Sequence, residues 1–274
     1  MLSLIIGILI RIFSNSYLNV FQKLLTKKGE FSSIVNLYTY FGLMIIGFII
    51  CPNLNFNSSM IPYIITMGFL GALGNFFIVK ALSCGELSTL APINSYKPII
   101  ALIFGFVILH EIPGTREMIG IILILLGTLF LSRARILFNK STLYRFIALI
   151  LLGTEAIFIK KVILLSDINS TFLYWVTTGF IFSLLFAFLS KHPLKIKKEN
   201  IPTQLSLILA VALMQYTTNY VFAKINVAYA LALFQLSTII SIFLGANIFK
   251  EKNILQKLIA SFIMLLGATI IILG

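Results

Sequence analysis

Runs of about 20 mostly apolar residues, separated by short polar loops, recur along almost the whole chain. An α-helix rises 1.5 Å per residue and satisfies its own backbone hydrogen bonds, so roughly 20 apolar residues can cross a bilayer as a helix. Of the 274 residues, 59% are hydrophobic and 11% are charged. The sequence therefore predicts an all-α integral membrane protein with ten transmembrane helices, at residues 2–25, 31–50, 60–82, 87–109, 115–132, 143–163, 170–189, 201–224, 227–249 and 253–273.

The net charge of +13 is distributed unevenly across this predicted topology. Fifteen of the 21 Lys and Arg residues fall on one side, Arg145 among them, and four fall on the other, among them Lys160. Cytoplasmic loops are enriched in Lys and Arg, which are also attracted to anionic lipid. We therefore expect a multi-pass protein of the inner cell membrane with both termini outside, and no nucleic acid partner. The first run is long and lacks a small-residue cleavage site, so we expect a retained helix rather than a signal peptide.

Polar landmarks recur in the same order in the two halves of the chain. NFFIVK at 75–80 resembles NYVFAK at 219–224, and Glu111 and Gly127 match Glu251 and Gly267. Apolar helices can resemble one another through composition alone, but this ordered spacing favours a repeat. The halves are 1–135 and 136–274. Because each half holds five predicted helices, an odd number, the second enters the membrane from the opposite face, and the sequence predicts two inverted five-helix repeats.

The segment 81–132 carries a family resemblance. It reads ALSCGELSTLAPINSYKPIIALIFGFVILHEIPGTREMIGIILILLGTLFLS, in which a helix ending in Ala-Leu leads to a proline-bearing helix, a terminal Glu and a glycine-spaced helix. This pattern resembles the repeat unit of the drug/metabolite transporter superfamily, in particular its ten-helix EamA-like members. The resemblance extends over nearly the whole chain and implies a metabolite transporter, with export favoured over uptake. The ninth helix lacks the proline, and Arg11 lies where members often carry Trp.

Lys97 lies about ten residues from each end of its predicted span, roughly 15 Å of helical rise, which is beyond the reach of a lysine stem. A charge at that depth costs about 2.5–3.5 kcal/mol on insertion scales. Pro92 and Pro98 cannot donate to the carbonyls of Ser88 and Asn94, so the helix is predicted to kink and leave acceptors uncovered. These features favour a cavity wall. The alternative is a lysine neutralised by burial or paired only for assembly.

Glu155 is the one carboxylate well inside a predicted span. It could exchange a proton during a transport cycle, or it could simply neutralise Lys97. Arg11 is the third charged candidate, with the nearer membrane interface as its alternative position. If all three are ionised, the site is net positive, which favours an anionic or zwitterionic solute such as an organic acid or an amino acid.

Uncharged polar side chains within the predicted spans complete the candidate substrate-binding set. Each could instead form an interhelical hydrogen bond. They are Asn15, Asn19, Tyr40, Asn75, Asn94, Tyr96, Tyr174, Gln215, Asn219 and Gln235. Asn15 and Asn19 are four residues apart, as are Gln215 and Asn219, so each pair is predicted to share one face of its helix.

The sequence favours transport over catalysis. Both histidines fall at loop positions, and no metal-ligand cluster, Ser/His/Asp set or phosphate-binding loop is evident. We expect no enzyme activity, cofactor or metal. The leading hypothesis is a secondary transporter, with export favoured, that moves an amino-acid-like or organic-anion-like metabolite by alternating access, with proton coupling as an option. It would act as a monomer or homodimer, with membrane lipid and a small solute as partners. The alternatives are a carrier of a lipid-linked head group, which requires a lateral opening, and a non-transporting scaffold, which requires fully paired charges.

Overall fold

The computed structural model describes residues 2–111, 114–131 and 139–249, together with 262–263, 266–267 and 270. Within these ranges the chain is helical apart from short connections, as the apolar runs predict. The first half contains α1 (Leu2–Lys27), α2 (Ser32–Ile50), α3 (Ile61–Cys84), α4 (Leu87–Leu90), α5 (Lys97–Phe104) and α6 (Thr115–Leu131). The second half contains α7 (Lys140–Leu165), α8 (Ile168–Leu189), α9 (Ile201–Lys224), α10 (Val227–Phe234) and α11 (Leu236–Phe249).

Six helical segments of the described chain are long and apolar enough to cross a membrane. They are Leu2–Lys27, Ser32–Ile50, Ser58–Cys84, Ile168–Leu189, Lys198–Lys224 and Val227–Gly245. Two shorter apolar helices occupy Lys97–Leu109 and Met118–Gly127. Large apolar side chains such as Ile49 and Leu189 are exposed on the outer surface, as expected where helices contact lipid. Most of the predicted tenth span, 253–273, lies outside the described residues.

Short polar side chains between the apolar runs fix where several helices begin. Asn139 accepts from the backbone N–H of Thr142 and forms a reciprocal capping box at the start of α7. Asp167 accepts from the N–H of Ser170 at the start of α8, and Asn226 accepts from the second residue of α10. These side chains satisfy backbone donors that have no partner within the helix.

The predicted fourth span, 87–109, is not one helix. It consists of α4, a 3₁₀ segment at Ala91–Tyr96, α5 and a π-helical turn at Gly105–Leu109, so the α-helical hydrogen-bond pattern is interrupted in the segment where the prolines predicted a kink. Lys97 is consequently the first residue of α5 rather than a mid-helix residue. The predicted ninth span, 227–249, is also interrupted, at Gln235, although it contains no proline. There, two backbone hydrogen bonds join residues three apart, as in a 3₁₀-helix. They run from Gln235 N to Ala232 O at 3.0 Å and from Thr238 N to Gln235 O at 2.8 Å.

Helices from the two halves pack against each other across the centre of the molecule. α3 packs on α7, α1 on α9, α2 on α8 and α5 on α10. Close approach of α3 to its neighbours requires small residues: a Cβ at Gly74 would lie 2.5 Å from Leu152 Cδ2, and one at Gly71 would collide with Glu155 Oε1. The glycines of α3 therefore allow this helix to pack directly against α7 and the carboxylate of Glu155.

Candidate functional site

A buried cavity of about 60 Å³ lies where α1, α3, α5, α7, α8 and α9 meet. Eight of the thirteen predicted binding residues line it, and Trp175 and Thr218 join them. The polar lining residues are Arg11, Asn15, Asn19, Asn75, Asn94, Lys97, Glu155, Trp175, Gln215 and Thr218. Both halves of the chain therefore contribute polar groups to one space, which has room for only a few water molecules.

Arg11 is buried in this cavity and does not extend to the membrane interface. Its Nε donates to Thr218 Oγ1 at 2.6 Å, and its guanidinium lies 4.6 Å from the ring centroid of Phe234. Among the described residues its Nη1 has no hydrogen-bond partner. A planar guanidinium with a free donor can bind a carboxylate or phosphate oxygen. Arg11 is thus oriented from α1 by contacts in the second half and retains a donor for a ligand.

Glu155 lies opposite, on α7, and is also buried. Trp175 Nε1 donates to its Oε1 at 2.5 Å, and the absence of a side chain at Gly71 leaves the space that this oxygen occupies. Sequence reasoning missed Trp175. The sequence did contain a signal for Trp175, which is the eighth residue of an apolar helix. Trp in membrane proteins favours the interface, and a Trp buried deeper requires an acceptor for its indole N–H.

Lys97 lines the cavity from the first turn of α5. Electrostatic interactions connect it to Arg145, Arg11 and Glu155. The preceding Asn94 also lines the cavity, and among the described residues its side-chain oxygen has no hydrogen-bond partner. The interrupted fourth span therefore supplies both a cation and an open acceptor, and cations outnumber carboxylates around Lys97.

Arg145, which the topology assigned to the side richer in Lys and Arg, is a buried residue. Its side chain on α7 is fully buried, and its Nε donates to the carbonyl of Leu90 at 3.2 Å. That carbonyl ends α4, where the helix is interrupted, so the interruption provides an acceptor that a continuous helix would have used internally. Neither Nη atom has a partner among the described residues. The signal in the sequence was the position of Arg145 inside the span predicted at 143–163.

Side chains around the cavity hold its lining residues in place. Asn75 Nδ2 donates to the hydroxyl of Tyr40 at 2.8 Å, and the Tyr40 ring lies 5.0 Å from that of Trp175. Gln215 Nε2 donates to Asn219 Oδ1 at 2.9 Å, so the predicted shared face of this pair is confirmed. Tyr40 and Asn219 are therefore neighbours of the cavity rather than part of its lining.

Three predicted residues are not brought to the cavity. The hydroxyl of Tyr174 donates to the carbonyl of Asn55 in the loop between α2 and α3, so it is engaged outside the cavity that the next residue, Trp175, lines. Gln235 Nε2 donates to Leu231 O within its own interrupted span. Tyr96 packs against a separate cluster of buried apolar residues.

An ionic cluster lies just beyond Ile159 and Phe222, at one end of the cavity. Lys160 Nζ lies 3.7 Å from Glu111 Oε1 and donates to the carbonyls of Phe222 and Ile225. Glu111 Oε2 accepts from the N–H of Val227 at 3.0 Å. Sequence analysis assigned Lys160 to the side with fewer Lys and Arg and Glu111 to the end of a repeat's fourth helix. The structure adds that the two join the end of the fourth span to α7 and to the start of α10.

A second opening, which we call the lateral groove, lies between the ends of α2, α3 and α8. Its volume is about 520 Å³. It is lined by Phe31, Ser32, Ser33, Leu73, Phe76, Lys80, Ser83, Phe186, Leu189, Ser190 and His192. None of these residues lines the central cavity, so the two spaces are distinct in the described part of the chain.

Comparison with known proteins agrees with the arrangement of the two halves. A model of the EamA-like transporter family matches residues 2–133 and again residues 139–273. The chain belongs to this family. It consists of two repeats, and it is a multi-pass membrane protein of a transporter family. The resemblance of the sequence to EamA-like transporters is thereby confirmed.

Two further similarities were found. An uncharacterized protein of Methanocaldococcus jannaschii is 26% identical over 138 residues, which is 47% of this chain and 96% of the relative. A solved crystal structure of another protein superposes with a TM-score of 0.76 at 14% identity and covers 99% of this chain and 96% of the other. At that identity the likeness concerns the fold alone.

Proposed function

We propose that this EamA-like protein is a secondary transporter that exports a small polar metabolite by alternating access. The observation that carries the proposal is the cavity to which the first half contributes Arg11 and Lys97 and the second half contributes Glu155. Buried ionisable groups in membrane proteins are costly and typically mark a solute or ion pathway. A cavity of this size cannot admit a metabolite without rearrangement, so we take the structure to represent a closed state of the cycle.

The chemistry of the lining favours an anionic or zwitterionic solute, of the organic-acid or amino-acid type. Arg11 Nη1 is an open donor in the cavity, and Arg145, whose charge acts on Lys97, has two more nearby. Glu155 would bind an ammonium group or carry a proton. A site for a lipophilic cation would instead be expected to have an unpaired carboxylate among aromatic rings.

The packing between halves supports a two-fold relation between the halves 1–135 and 136–274, and an odd number of helices in each half would make this repeat inverted. In a two-fold arrangement each contact between repeats occurs twice. If the third helix of the first repeat packs on the first helix of the second, then the third helix of the second repeat should pack on the first helix of the first. The pairs α3 with α7 and α1 with α9 meet this condition. Such repeats can rock about a fixed central site. We place the protein in the inner membrane with both termini outside, since Lys and Arg concentrate on the opposite side.

Transport by reconstituted protein tests this proposal. Labelled amino acids and organic acids would be exchanged across proteoliposomes carrying the wild type, Lys97→Ala or Glu155→Gln, with Lys224→Ala as the control because Lys224 lies outside the cavity lining. We expect Lys97→Ala to lower transport at least tenfold, since a hydrogen bond to a charged group contributes about 1.5–3 kcal/mol. Glu155→Gln should remove any dependence on a proton gradient. Unchanged transport in both variants would refute this site.

A carrier of lipid-linked head groups is the second candidate, and the lateral groove is the observation that favours it. Such a carrier needs a continuous route from the lateral opening to the centre, whereas the groove and the cavity share no lining residue in the described chain. A scaffold would have its charges fully paired, unlike the guanidinium donors of Arg11 and Arg145. Flip of a fluorescent head-group lipid by the wild type, unaffected by Lys97→Ala, would favour the lipid carrier.

A further inference from the structure

We infer that the lateral groove is a binding site for an anionic phospholipid that is not the transported solute. The groove is the larger of the two spaces, about 520 Å³, and it opens to the outer surface, where Phe31 and Leu189 on its rim are exposed. Exposed large apolar side chains on the rim of a groove in a membrane protein are suited to contact with lipid. A lipid molecule therefore fits this groove, and the lining residues determine which kind.

The groove changes from apolar to polar along its length. On α3 the lining residues run from Leu73 and Phe76 to Lys80 and Ser83 at the helix end. Leu73 and Ser83 are ten residues apart, which is about 15 Å of helical rise, half the thickness of the hydrocarbon core. The apolar part therefore lies at acyl-chain depth within one leaflet, and the polar part lies at head-group depth.

The polar end carries the groups that bind a phosphate. Lys80 lies there with its ammonium 4.7 Å from the ring centroid of Tyr144, where the ring helps to orient it. Ser33, Ser190 and His192 form a hydrogen-bonded group on the other wall, with Ser33 Oγ 3.0 Å from Ser190 Oγ and 3.4 Å from His192 Nδ1. Ser190 Oγ donates to the carbonyl of Ala187, and a hydroxyl has a single proton, so the Lys80 ammonium with its three N–H donors is the group suited to phosphate oxygens.

The surroundings of the polar end add positive charge. The loop after α8 contains exposed Lys191, Lys195 and Lys198, and it belongs to the side that holds fifteen of the 21 Lys and Arg residues. Each basic residue near a membrane surface attracts anionic lipid by about 1 kcal/mol, and basic pockets between helices on the cytoplasmic side bind anionic head groups. Charge complementarity therefore favours an anionic lipid over phosphatidylcholine.

The inference is tested by lipid binding, independently of transport. The purified protein in detergent micelles would be titrated with dioleoyl phosphatidylglycerol or dioleoyl phosphatidylcholine, and the bound lipids would be counted by native mass spectrometry. We expect phosphatidylglycerol to bind at least fivefold more tightly. Lys80→Gln should reduce that affinity about fivefold, which is the loss of one basic contact.

The internal repeat provides a matched control. Lys224 ends the NYVFAK segment as Lys80 ends NFFIVK, and its ammonium also lies over a ring, that of Tyr220, at 5.7 Å, but it is not part of the groove. Lys224→Gln should therefore leave phosphatidylglycerol binding unchanged. A second variant, Leu73→Trp, fills the apolar end without altering charge and should also weaken binding; it decides the question if Lys80→Gln does not fold.

Three results would overturn the inference. Equal binding of the two lipids by the wild type would show that the groove does not select for charge. Equal losses in Lys80→Gln and Lys224→Gln would show that the protein attracts anionic lipid through its general basic surface. Undiminished phosphatidylglycerol binding by Leu73→Trp would show that no acyl chain occupies the groove.

Discussion

The fourth and ninth predicted spans, 87–109 and 227–249, occupy equivalent positions in the two repeats, and both are interrupted. The first contains Pro92 and Pro98, whereas the second contains no proline and still breaks at Gln235. The helix is therefore interrupted at this position of the repeat both with and without a proline. The ninth span thus lacks the proline of the family pattern, but its α-helix is still interrupted near the equivalent position.

The chemistry at the two interruptions differs. The alignment that matches Glu111 with Glu251 places Ser237 at the position of Lys97. Lys97 lines the central cavity, whereas Ser237 accepts a hydrogen bond from Asn15 at 2.9 Å, and its carbonyl accepts one from Ser16. One interruption presents a cation to the cavity, and the other fastens α11 to α1. Equivalent positions in the two repeats thus carry different side-chain chemistry.

Glu111→Ala is expected to lower the stability of the protein more than the other substitutions considered, because Glu111 connects the end of the fourth span to the start of the ninth. Its carboxylate accepts from Val227 N and pairs with Lys160, which is itself buried. Removing one partner of a buried ion pair leaves the other charge uncompensated. Because Glu111 is partly exposed, we expect the free energy of unfolding to fall by about 3 kcal/mol, the lower end of the usual range. Thermal unfolding in detergent should show a large fall in midpoint.

Glu199→Ala is the matched control for this experiment, since Glu199 is an exposed carboxylate in the loop before α9. Surface substitutions of this kind change stability by less than about 0.5 kcal/mol. If the two variants melt at the same temperature, the cluster of Glu111 and Lys160 does not hold the fourth and ninth spans together.

A smaller effect is expected from Ser237→Ala. The substitution removes the acceptor of the Asn15 side-chain amide but leaves the Ser237 carbonyl, so the loss is about 1 kcal/mol. Asn15 lines the cavity and is half-buried, so its amide can find another partner there. We expect a modest fall in thermal midpoint and retained transport in proteoliposomes. Loss of transport comparable with that of Lys97→Ala would mean that the two interruptions are chemically equivalent after all.

The sequence predicted the features that depend on local periodicity and composition. The apolar runs, the interruption near Pro98 and the shared face of Gln215 and Asn219 all follow from spacing along one helix, and the family followed from the resemblance of a longer segment. Arg11, Lys97 and Glu155 were brought together because a charge inside an apolar run must turn away from lipid, and the centre of the bundle is where such side chains can meet.

The sequence could not predict which partners meet across the two repeats. Lys160 and Glu111 are 49 positions apart, and their pairing depends on how α7 packs against the fourth and ninth spans. Arg145 is buried because the interruption at Leu90 exposes a carbonyl beside α7, which no helical periodicity describes. Tyr174 was assigned to the cavity because it lies within a span, but its hydroxyl bonds a loop, since depth along a helix does not determine direction.

The smallest effect is expected from Pro98→Ala, which separates the two explanations of the interruption. Pro98 lies in the first turn of α5, where a missing N–H removes no helical hydrogen bond, so alanine should cost only about 0.4–1 kcal/mol, through greater freedom of the unfolded chain. Transport that depends on Lys97 should persist, because the equivalent span breaks without proline. Thr238, at the equivalent position, donates its N–H to Gln235 O, so Thr238→Pro should lower the thermal midpoint further than Pro98→Ala does. If Pro98→Ala instead abolished transport, proline itself would hold the interruption that positions Lys97.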